Sequence, residues 1–393
     1  MSLNIRRTEK IPIWRDERYL SAAAQIVSSI VVFGLLYWMA RNFIEITSQR
    51  GISLSYKFLD EPAGFPISES FISYDPTMSF GRAFLVGLVN TLVVSAIGIL
   101  LATILGFIVS LARLSTNWLF NRIAVAFIEF HRNIPLLVLL FLWYFAVFNR
   151  LPPVRESIVL PGPIYMNLRG LYVSWPRLTE TGNVFIGFLI AGLILSLIAW
   201  NVLVKLRVRT GRETYYVPIA LGILFIFPLI GWFAAGGRPM WLDVPVLEGF
   251  NYRNGLRFTP EFGAMLVGLT TYTAAFIAEV IRGGIQAVNR GQTEAARAVG
   301  LKNTQVLRLI VIPQALRVII PPLISQYLNL TKNSSLALAI GYQELFAIGK
   351  VTINQAGRAV PVFLMVMATY LMLSLVTAFV LNIYNRRIQF VER

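Results

Sequence analysis

Residues 294–313 read EAARAVGLKNTQVLRLIVIP and lie between two long apolar stretches. Thr293 is a suitable cap for a short helix that begins at Glu294, where an acidic residue favours the first turn. Gly300 suits a left-handed helix end and a sharp turn, and Asn303 can cap a second helix. The spacing therefore predicts a helix, a turn and another helix lying under a membrane, a shape that can fit a groove on a partner protein.

The composition is that of an integral membrane protein. The 393 residues are 56% hydrophobic and 14% charged, with a mean hydropathy of +0.66, and a soluble chain this apolar lacks the polar groups to cover its surface. Cysteine is absent, which excludes disulfides and thiol-based metal sites, and one histidine leaves little room for a His-rich site. The net charge of +16 is spread over short loops, where it sets orientation and meets anionic lipid headgroups, so nucleic acid is not the expected partner.

Eight stretches are long and apolar enough to cross a membrane, which takes about 20 residues. They lie near residues 20–41, 83–111, 123–148, 184–204, 216–235, 262–281, 316–340 and 361–384. The first is too long for a signal-peptide core and no small-residue cleavage site follows it, so we expect a retained anchor. The sequence predicts an all-α integral membrane protein with about eight transmembrane helices.

The distribution of Lys and Arg predicts the orientation. With the N-terminal tail in the cytoplasm, one side carries 20 basic and 6 acidic residues, and the other carries 13 and 11. The basic residues outside the 282–317 loop on the cytoplasmic side are Arg6, Arg7, Lys10, Arg15, Arg18, Arg113, Arg122, Lys205, Arg207, Arg209, Arg212, Arg386, Arg387 and Arg393. We therefore expect both termini, and also the 294–313 stretch, to be cytoplasmic.

The spacing E-A-A-x3-G-x9-I-x-x-P resembles the loop by which the membrane subunit of a bacterial ABC importer binds its ATPase. The matching residues are Glu294, Ala295, Ala296, Gly300, Ile310 and Pro313. Ile312 stands where the family usually has Leu, which is a small departure. The small alanines would let another surface approach the first helix closely. An ordinary amphipathic loop at the membrane surface is the alternative.

Further stretches are similar to one branch of that family, the permeases that import polar and charged amino acids. The run YTAAFIAEVIRGGI at 272–285 is similar to that branch's A-Y-x-A-E-x-x-R-G-G-I pattern, and KNSSL at 332–336 is similar to its K-D-T-S-L pattern. The other matches are Pro313-Gln314-Ala315-Leu316-Arg317, Pro321-Pro322, Asn90-Thr91-Leu92 and Arg132-Asn133-Ile134-Pro135-Leu136. The resemblance covers roughly 83–148 and 262–387.

The resemblance implies a division of the chain into four parts. Residues 1–82 form a cytoplasmic tail, the first span and a periplasmic segment. Residues 83–148 and 262–393 form the two parts of a five-helix permease core, and the second part contains the cytoplasmic coupling loop 286–313. Residues 149–261 are an insertion with two extra spans, which preserves the orientation of the later spans. This layout is similar to that of the membrane subunits of the general L-amino-acid importer.

The resemblance also implies a function, as the transmembrane permease subunit of an ATP-driven, binding-protein-dependent importer of L-amino acids in the bacterial inner membrane. The implied partners are ABC ATPase subunits that use ATP and Mg, a second permease (a paralogue or a copy), a periplasmic amino-acid-binding protein and membrane lipids. The chain has no G-x4-G-K-[ST] run to hold ATP phosphates, since Gly349-Lys350 is followed by Val351. We therefore expect no enzymatic activity and no cofactor in this chain.

Two other classes of function are the alternatives. A gradient-driven secondary amino-acid transporter would need buried acidic groups for coupling, and the sequence offers Glu129 and Glu279, both near the cytoplasmic side. A membrane structural protein without transport activity would not need the docking loop.

Polar residues inside the spans are candidates for the substrate path, because ionisable groups in a membrane are costly. The candidates are Asn90, Thr91, Glu279, Lys332, Ser334 and Ser335. Glu279 is either a gate residue or the partner of Arg282 in an i,i+3 ion pair. The asparagine, the threonine and the two serines either hydrogen-bond an amino acid in transit or bond to neighbouring helices.

Lys332 lies about 15 residues past Arg317, roughly two thirds of the way across at 1.5 Å per residue. It can attract a substrate carboxylate or reach the outer surface. Asn333 stands where the family often has Asp, so a local counter-ion is missing. We expect Pro321-Pro322 to break or kink the seventh span below Lys332 and to free backbone carbonyls near a cavity.

Two further patterns predict local structure. The stripe Gly98-x3-Ala102-x3-Gly106 is typical of close helix packing. A polar cluster is expected in the third span, from Glu129, His131 and Arg132, with the lone histidine in a structural role. The segment 43–82 has no clear period and could be a small periplasmic cap.

Overall fold

The computed structural model describes residues 17–49 and 54–388, and long apolar helices dominate it. In chain order the helices are α1 (Glu17–Gln49), α2 (Phe80–Leu114), α3 (Trp118–Asn133), α4 (Leu136–Phe141), α5 (Gly182–Thr210), α6 (Tyr216–Ala234), α7 (Pro260–Gln286), α8 (Arg290–Ala298), α9 (Asn303–Val306), α10 (Ile312–Asn333), α11 (Leu345–Ala356) and α12 (Ala359–Ile388). Within the described residues, seven helical stretches are long and apolar enough to span a membrane, and a bent pair makes an eighth. The predicted membrane protein of about eight spans is confirmed. The basic residues Arg6, Arg7, Lys10, Arg15 and Arg393 lie outside the described residues.

The third span is not the straight helix that the sequence predicted near 123–148. It consists of Trp118–Asn133 and Leu136–Arg150, which meet at an angle of 108°. Ile134, between them, is extended, with φ −102° and ψ 131°. It precedes Pro135, and the proline ring disfavours helical backbone in the residue before it. The chain therefore turns at this point.

The centre of the fold is the contact between α2 and α7, which run in the same direction. A Cβ atom added to Gly106 would lie 2.7 Å from Ile277 Cγ2 and 3.0 Å from the Ala274 carbonyl oxygen. One added to Gly98 would lie 3.4 Å from Leu330 Cδ2 of α10. These glycines let the helix backbones approach closely, so the predicted small-residue stripe is confirmed as a packing surface.

The two ends of the bundle can be named from the helices that reach them. We call the end with residues 287–311, where α7 ends and α10 begins, the loop end. The opposite end, where α2 and α7 begin, is the far end. Since α5 follows the far-end strands and α6 returns to them, the connection from 211 to 215 lies at the loop end.

Eight short strands, which the all-α prediction did not include, form a β-structure at the far end. They are β1 (Ile158–Leu160), β2 (Ile164–Asn167), β3 (Gly170–Val173), β4 (Trp175–Leu178), β5 (Met240–Asp243), β6 (Val246–Glu248), β7 (Asn251–Arg253) and β8 (Leu256–Phe258). All pairs are antiparallel, in a sheet of order β1-β2-β3-β8, a β6-β7 hairpin, and a β4-β5 pair whose strands precede α5 and follow α6. Gly162 and Gly249 lie in the tight turns after β1 and β6 and have positive φ. Residues with a side chain rarely adopt that backbone angle.

Between the first and second strand groups, α5 and α6 pack closely on each other. A Cβ on Gly192 would meet Phe227 at 2.7 Å, and one on Gly231 would meet Phe188 at 2.6 Å. Ser196 Oγ donates to the Ala220 carbonyl at 2.8 Å. The glycines create the grooves that receive the two phenylalanine rings, so the pair forms a helical hairpin.

Residues 57–79, which we call the strap, cross the far end of the bundle. The strap begins with a 3-10 turn at Lys57–Asp60 and continues without helix or ladder to the cap of α2. Its Phe58 and Phe65 are buried with Phe80 and Ile348. Its Phe71 packs on Phe262 of α7, with ring centroids 5.8 Å apart. The strap therefore connects two hydrophobic clusters. Because its sequence has no clear period, no secondary structure could be predicted for it.

Pro321 and Pro322 lie inside α10, which is helical without interruption from Ile312 to Asn333. Of the predicted break or kink in the seventh span, the break is therefore wrong. Each proline lacks the N–H that would donate to the residue four positions earlier, so two bonds of the helix ladder are missing. Membrane helices tolerate this because neighbouring groups can satisfy the carbonyls concerned.

Candidate functional site

The loop between α7 and α10 is folded as a compact helical turn, with helix starts that differ from those predicted. Asn289, not Thr293, caps the first helix, since its Oδ1 accepts from Gly291 N at 2.8 Å and α8 begins at Arg290. The acid Glu294 therefore lies in the middle of α8. In the second helix, Lys302 is the cap residue, and Gln305 Oε1 accepts its backbone N–H at 2.9 Å.

Gly300 makes the turn between these helices, as the sequence predicted, with φ +85°. Its N–H donates to the Arg297 carbonyl at 2.9 Å, and the N–H of Leu301 donates to the Ala296 carbonyl at 3.2 Å. This pair of bonds is the Schellman helix ending. An added Cβ would meet nothing within 4 Å, so the requirement for glycine is conformational and not steric.

The loop has a buried face and an exposed face. Ala296, Val306 and Val311 form its small core, and Ile310 packs against them. Ala296 and Ile310, both predicted to contact the ATPase, therefore support the shape of the loop from inside. The residues that face outward are Glu294, Ala295, Ala298, Val299, Gly300 and Pro313. Val299 is 77% exposed, which makes it the most prominent apolar side chain of this face.

At the far end, Asn90 and Thr91 connect α2 to neighbouring segments: Asn90 to the strap and to the connection before α11, and Thr91 to the start of α11. Asn90 Nδ2 donates to the Glu69 carbonyl at 2.9 Å and to the Gln343 carbonyl at 2.8 Å. Thr91 Oγ1 donates to the Gly87 carbonyl at 2.9 Å and accepts from Leu345 N at 3.1 Å. Both side chains are fully buried. These contacts are bonds within the fold, and a role of either residue in the substrate path stays a prediction.

Glu344 is a buried acidic residue that the sequence did not single out. It is 0% exposed and caps α11, with Oε1 accepting from Ala347 N at 2.8 Å. Its Oε2 accepts from Tyr370 of α12 at 2.6 Å and lies 3.4 Å from Thr91 Oγ1 of α2. One carboxylate thus joins three helices. The sequence signal was the run Gly341-Tyr342-Gln343-Glu344 before an apolar stretch, which is typical of a helix start.

Glu129 and Glu279 are the acids that the sequence pointed to, and neither is fully buried. Glu279 is half-buried and bonded to Arg282, with Oε2 2.7 Å from Nη2, which is the predicted ion pair. Glu129 is exposed and accepts from Asn133 at 3.1 Å. His131 is buried, with Nδ1 2.9 Å from the Phe127 carbonyl, and Arg132 lies over the Phe276 ring. The expected polar cluster is therefore wrong, because each side chain has its own partner, while the structural role of the histidine is confirmed.

Glu69 anchors the strap to α7. Its Oε2 accepts from Thr259 Oγ1 at 2.7 Å and from Thr259 N at 3.3 Å, next to the start of α7. Gln343 holds the neighbouring residue, since Ser68 N donates to Gln343 Oε1 at 2.6 Å. Burial raises the pKa of Glu69 to about 7, against the opposing effects of the Thr259 bonds and of Arg257. With the bond from Asn90 to the Glu69 carbonyl, these contacts fix the strap to α7, to the connection before α11 and to α2.

Lys332 and Ser335 line one open cavity of about 670 Å³ between α10 and α12. Tyr370, Phe346 and Met367 form much of the remaining wall. Ser334 is not part of it, because it is buried and donates to the Thr331 carbonyl at 2.8 Å. The structure therefore brings together two of the six residues predicted for the substrate path.

The comparison with known proteins identifies the family. A family model described as "binding-protein-dependent transport system inner membrane component" matches residues 98–390. The chain belongs to this family. It is 45% identical over 94% of both chains to YhdX of Escherichia coli K12, a putative amino-acid ABC transporter permease protein. It is 41% identical to AapQ of Rhizobium johnstonii, a general L-amino acid transport system permease protein, over 96% of this chain and 94% of that one.

A third relative is BztB of Rhodobacter capsulatus, a glutamate/glutamine/aspartate/asparagine transport system permease protein. It is 36% identical over 96% of each chain. The protein is thus a multi-pass inner-membrane component of an ABC transporter and not an enzyme. Permeases of this family work with separate ATPase subunits. A gradient-driven secondary transporter is not favoured. Among the described residues, no group of three or more His, Cys, Asp or Glu side chains could hold a metal ion.

The raised pKa of Glu69 predicts a pH-dependent strap in this permease. A neutral Glu69 is favoured in the docked strap, so docking is fully stable below about pH 4.5 and loses stability as the pH rises through about 7. Between pH 6 and pH 8.5 we expect a loss of about 1 kcal/mol, because the slope of about 1.4 kcal/mol per pH unit applies only until the pH passes about 7. Hydrogen exchange of residues 57–79, corrected for intrinsic rates, should show it between pH 6 and 8.5.

The matched variant Glu69→Gln keeps an oxygen acceptor for Thr259 and cannot ionise. Its exchange protection should be the same at both pH values, as should that of α7 in the unchanged protein. Equal pH dependence in the strap of the variant would show that another group is responsible, with Arg257 and Glu261 as the charged neighbours.

Proposed function

We propose that this chain is the permease subunit of an ATP-driven, binding-protein-dependent importer of L-amino acids. The observation that carries the proposal is the exposed face of the loop, where Glu294, Ala298 and Val299 are presented by the rigid turn at Gly300. Amino acids are the substrate class because three relatives that match almost the whole chain are named as amino-acid permeases.

The loop end faces the cytoplasm in this proposal, and the far end faces the periplasm. Arg113, Arg122, Lys205 and Arg212 all lie in connections or helix ends at the loop end, as the positive-inside rule requires. Both termini are then cytoplasmic. An ATPase would bind the exposed face of α8, and its motion would reach the spans through α7 and α10.

The division of the chain agrees with this arrangement. Residues 83–148 and 262–393 form the permease core, and 149–261 is an insertion that adds the α5–α6 hairpin and the far-end strands. A second permease subunit completes the path, and a periplasmic binding protein delivers the substrate to the far end. In alternating access, the two membrane subunits would rock against each other around a central substrate site.

The substrate path of this subunit includes the cavity with Lys332 and Ser335. Among the described residues, no carboxylate lies within 4 Å of Lys332 in an ion pair. An ammonium group in the last turn of a membrane-spanning helix, without an acidic partner, is well placed to attract the carboxylate that all amino acids share. Ser335 adds a hydroxyl to the same wall.

Replacing Lys332 with Met should weaken the transport of all amino acids. A charge-assisted hydrogen bond is worth about 1.5–3 kcal/mol, so we expect kcat/KM for uptake to fall roughly 10- to 100-fold for neutral and charged substrates alike. Uptake into proteoliposomes with the complete importer measures this. Unchanged kinetics would instead place Lys332 among the lysines that only extend to the membrane surface.

The function itself is tested by reconstituting this chain with the proteins that co-purify from its native membrane. Recovery of an ATPase with a G-x4-G-K-[ST] run and of a second permease would support the importer. Uptake should require ATP on the side of the membrane where the ATPase subunits lie. It should continue when an uncoupler collapses the proton gradient. Uptake that stops with the uncoupler and ignores ATP would overturn the proposal.

A further inference from the structure

A second cavity continues the one that contains Lys332. The first has a volume of about 670 Å³ and the second about 290 Å³. Phe346, Phe363 and Val366 line both. Because the same three side chains line both, the two cavities lie next to each other along α12, and we call them together the α12 groove.

The α12 groove has a lysine in each of its two parts. Lys332, at the end of α10, lines the larger part, and Lys350 of α11 lines the smaller. Both side chains are exposed, and among the described residues neither forms an ion pair within 4 Å. Two ammonium groups in a largely apolar groove favour a ligand with two separate anionic groups.

The wall between the two lysines is apolar. The shared residues Phe346, Phe363 and Val366 offer no hydrogen-bonding side chains, whereas Ser335 lies in the part with Lys332 and Asn354 in the part with Lys350. A ligand that fits has polar groups at both ends and methylene groups between them. A dicarboxylic amino acid has this shape.

We propose that Lys350 selects amino acids whose side chain ends in a carboxylate. Lys332 binds the α-carboxylate, the apolar wall contacts the side-chain methylenes, and Lys350 binds the second carboxylate. This inference rests on the proposed function, because it assigns one end of the groove to the group shared by all substrates. It makes Lys350 a specificity-determining residue.

L-glutamate and L-glutamine provide the test, because they have nearly the same shape and differ in side-chain charge. Uptake of each is measured in proteoliposomes containing the complete importer with its binding protein held constant, so that differences between variants come from the permease. The variants are Lys350→Met, Lys350→Arg, and Lys57→Met, which removes an exposed positive charge at the same end but outside the groove.

We expect Lys350→Met to lower kcat/KM for glutamate at least tenfold and to leave that for glutamine within twofold. Lys350→Arg should restore most glutamate uptake, and Lys57→Met should change neither substrate. An equal fall for both substrates, no change for either, or a wild-type importer that accepts glutamine but not glutamate would overturn the role of Lys350. Absence of any ATP-driven amino-acid uptake by the wild type would instead overturn the proposed function.

Discussion

Replacing Gly300 with Val is expected to abolish ATP-driven uptake while the protein remains in the membrane. Gly300 has φ +85°, and a β-branched residue in that region is strained by about 1–3 kcal/mol. The strain is relieved only if the turn opens, which breaks the bonds from Gly300 N and Leu301 N that end α8. The exposed face around Val299 then loses its shape, although the spans are untouched.

Two matched variants separate the turn from a general effect of the substitution. Gly236→Val introduces the same residue at another glycine with positive φ and open space, at the far end, and should leave uptake near normal. Gly300→Asn should retain most activity, because asparagine tolerates the left-handed region. Uptake and substrate-stimulated ATP hydrolysis are both measured, since an uncoupled loop should suppress the stimulation as well as the transport. Normal uptake by Gly300→Val would mean that the turn does not transmit the motion.

The coupling loop shows what local sequence can predict. Gly300 was predictable because its requirement is a backbone angle, which the residue type itself reports. The caps were not, because Asn289 and Thr293 are both good caps by residue type, and the structure places the helix start after the first of them. Ala296 and Ala298 likewise look alike in sequence, but the fold of the loop buries the first and exposes the second.

The substrate path was harder to predict, since burial is a property of the packed structure. Lys332 was found because a charge in an apolar span is conspicuous, whereas Glu344 lies in a short connection where acids are common. Serines 334 and 335 are adjacent in the chain, yet a 3-10 turn directs one into the core and the other into the cavity. The bend at Ile134 was readable from the proline that comes after it.

Replacing Glu344 with Ala should cause the largest loss of stability of any single change considered for this permease. The loss removes the cap of α11, worth about 0.5–2 kcal/mol. It also removes the carboxylate acceptor of the Tyr370 hydroxyl, which is partly buried and keeps Ser334 Oγ at 3.4 Å as a partner, at a cost of about 1–3 kcal/mol. We therefore expect the unfolding free energy to fall by about 3 kcal/mol, with a lower midpoint of thermal unfolding in detergent and a marked loss of uptake.

The control variants are chosen from the contacts of Glu344. Glu344→Gln keeps the shape and one acceptor oxygen, so it can cap α11, and Tyr370 can turn its hydroxyl to accept from the amide; most stability should be retained. Glu248→Ala removes an acid whose ion pair with Arg253 is exposed, and such pairs contribute about 0–1 kcal/mol. If Glu344→Ala unfolded at the same temperature as Glu248→Ala, the three-helix contact would not hold α11 in place. Because α11 also carries Phe346 and Lys350 of the α12 groove, the same carboxylate would then have no part in positioning the substrate path.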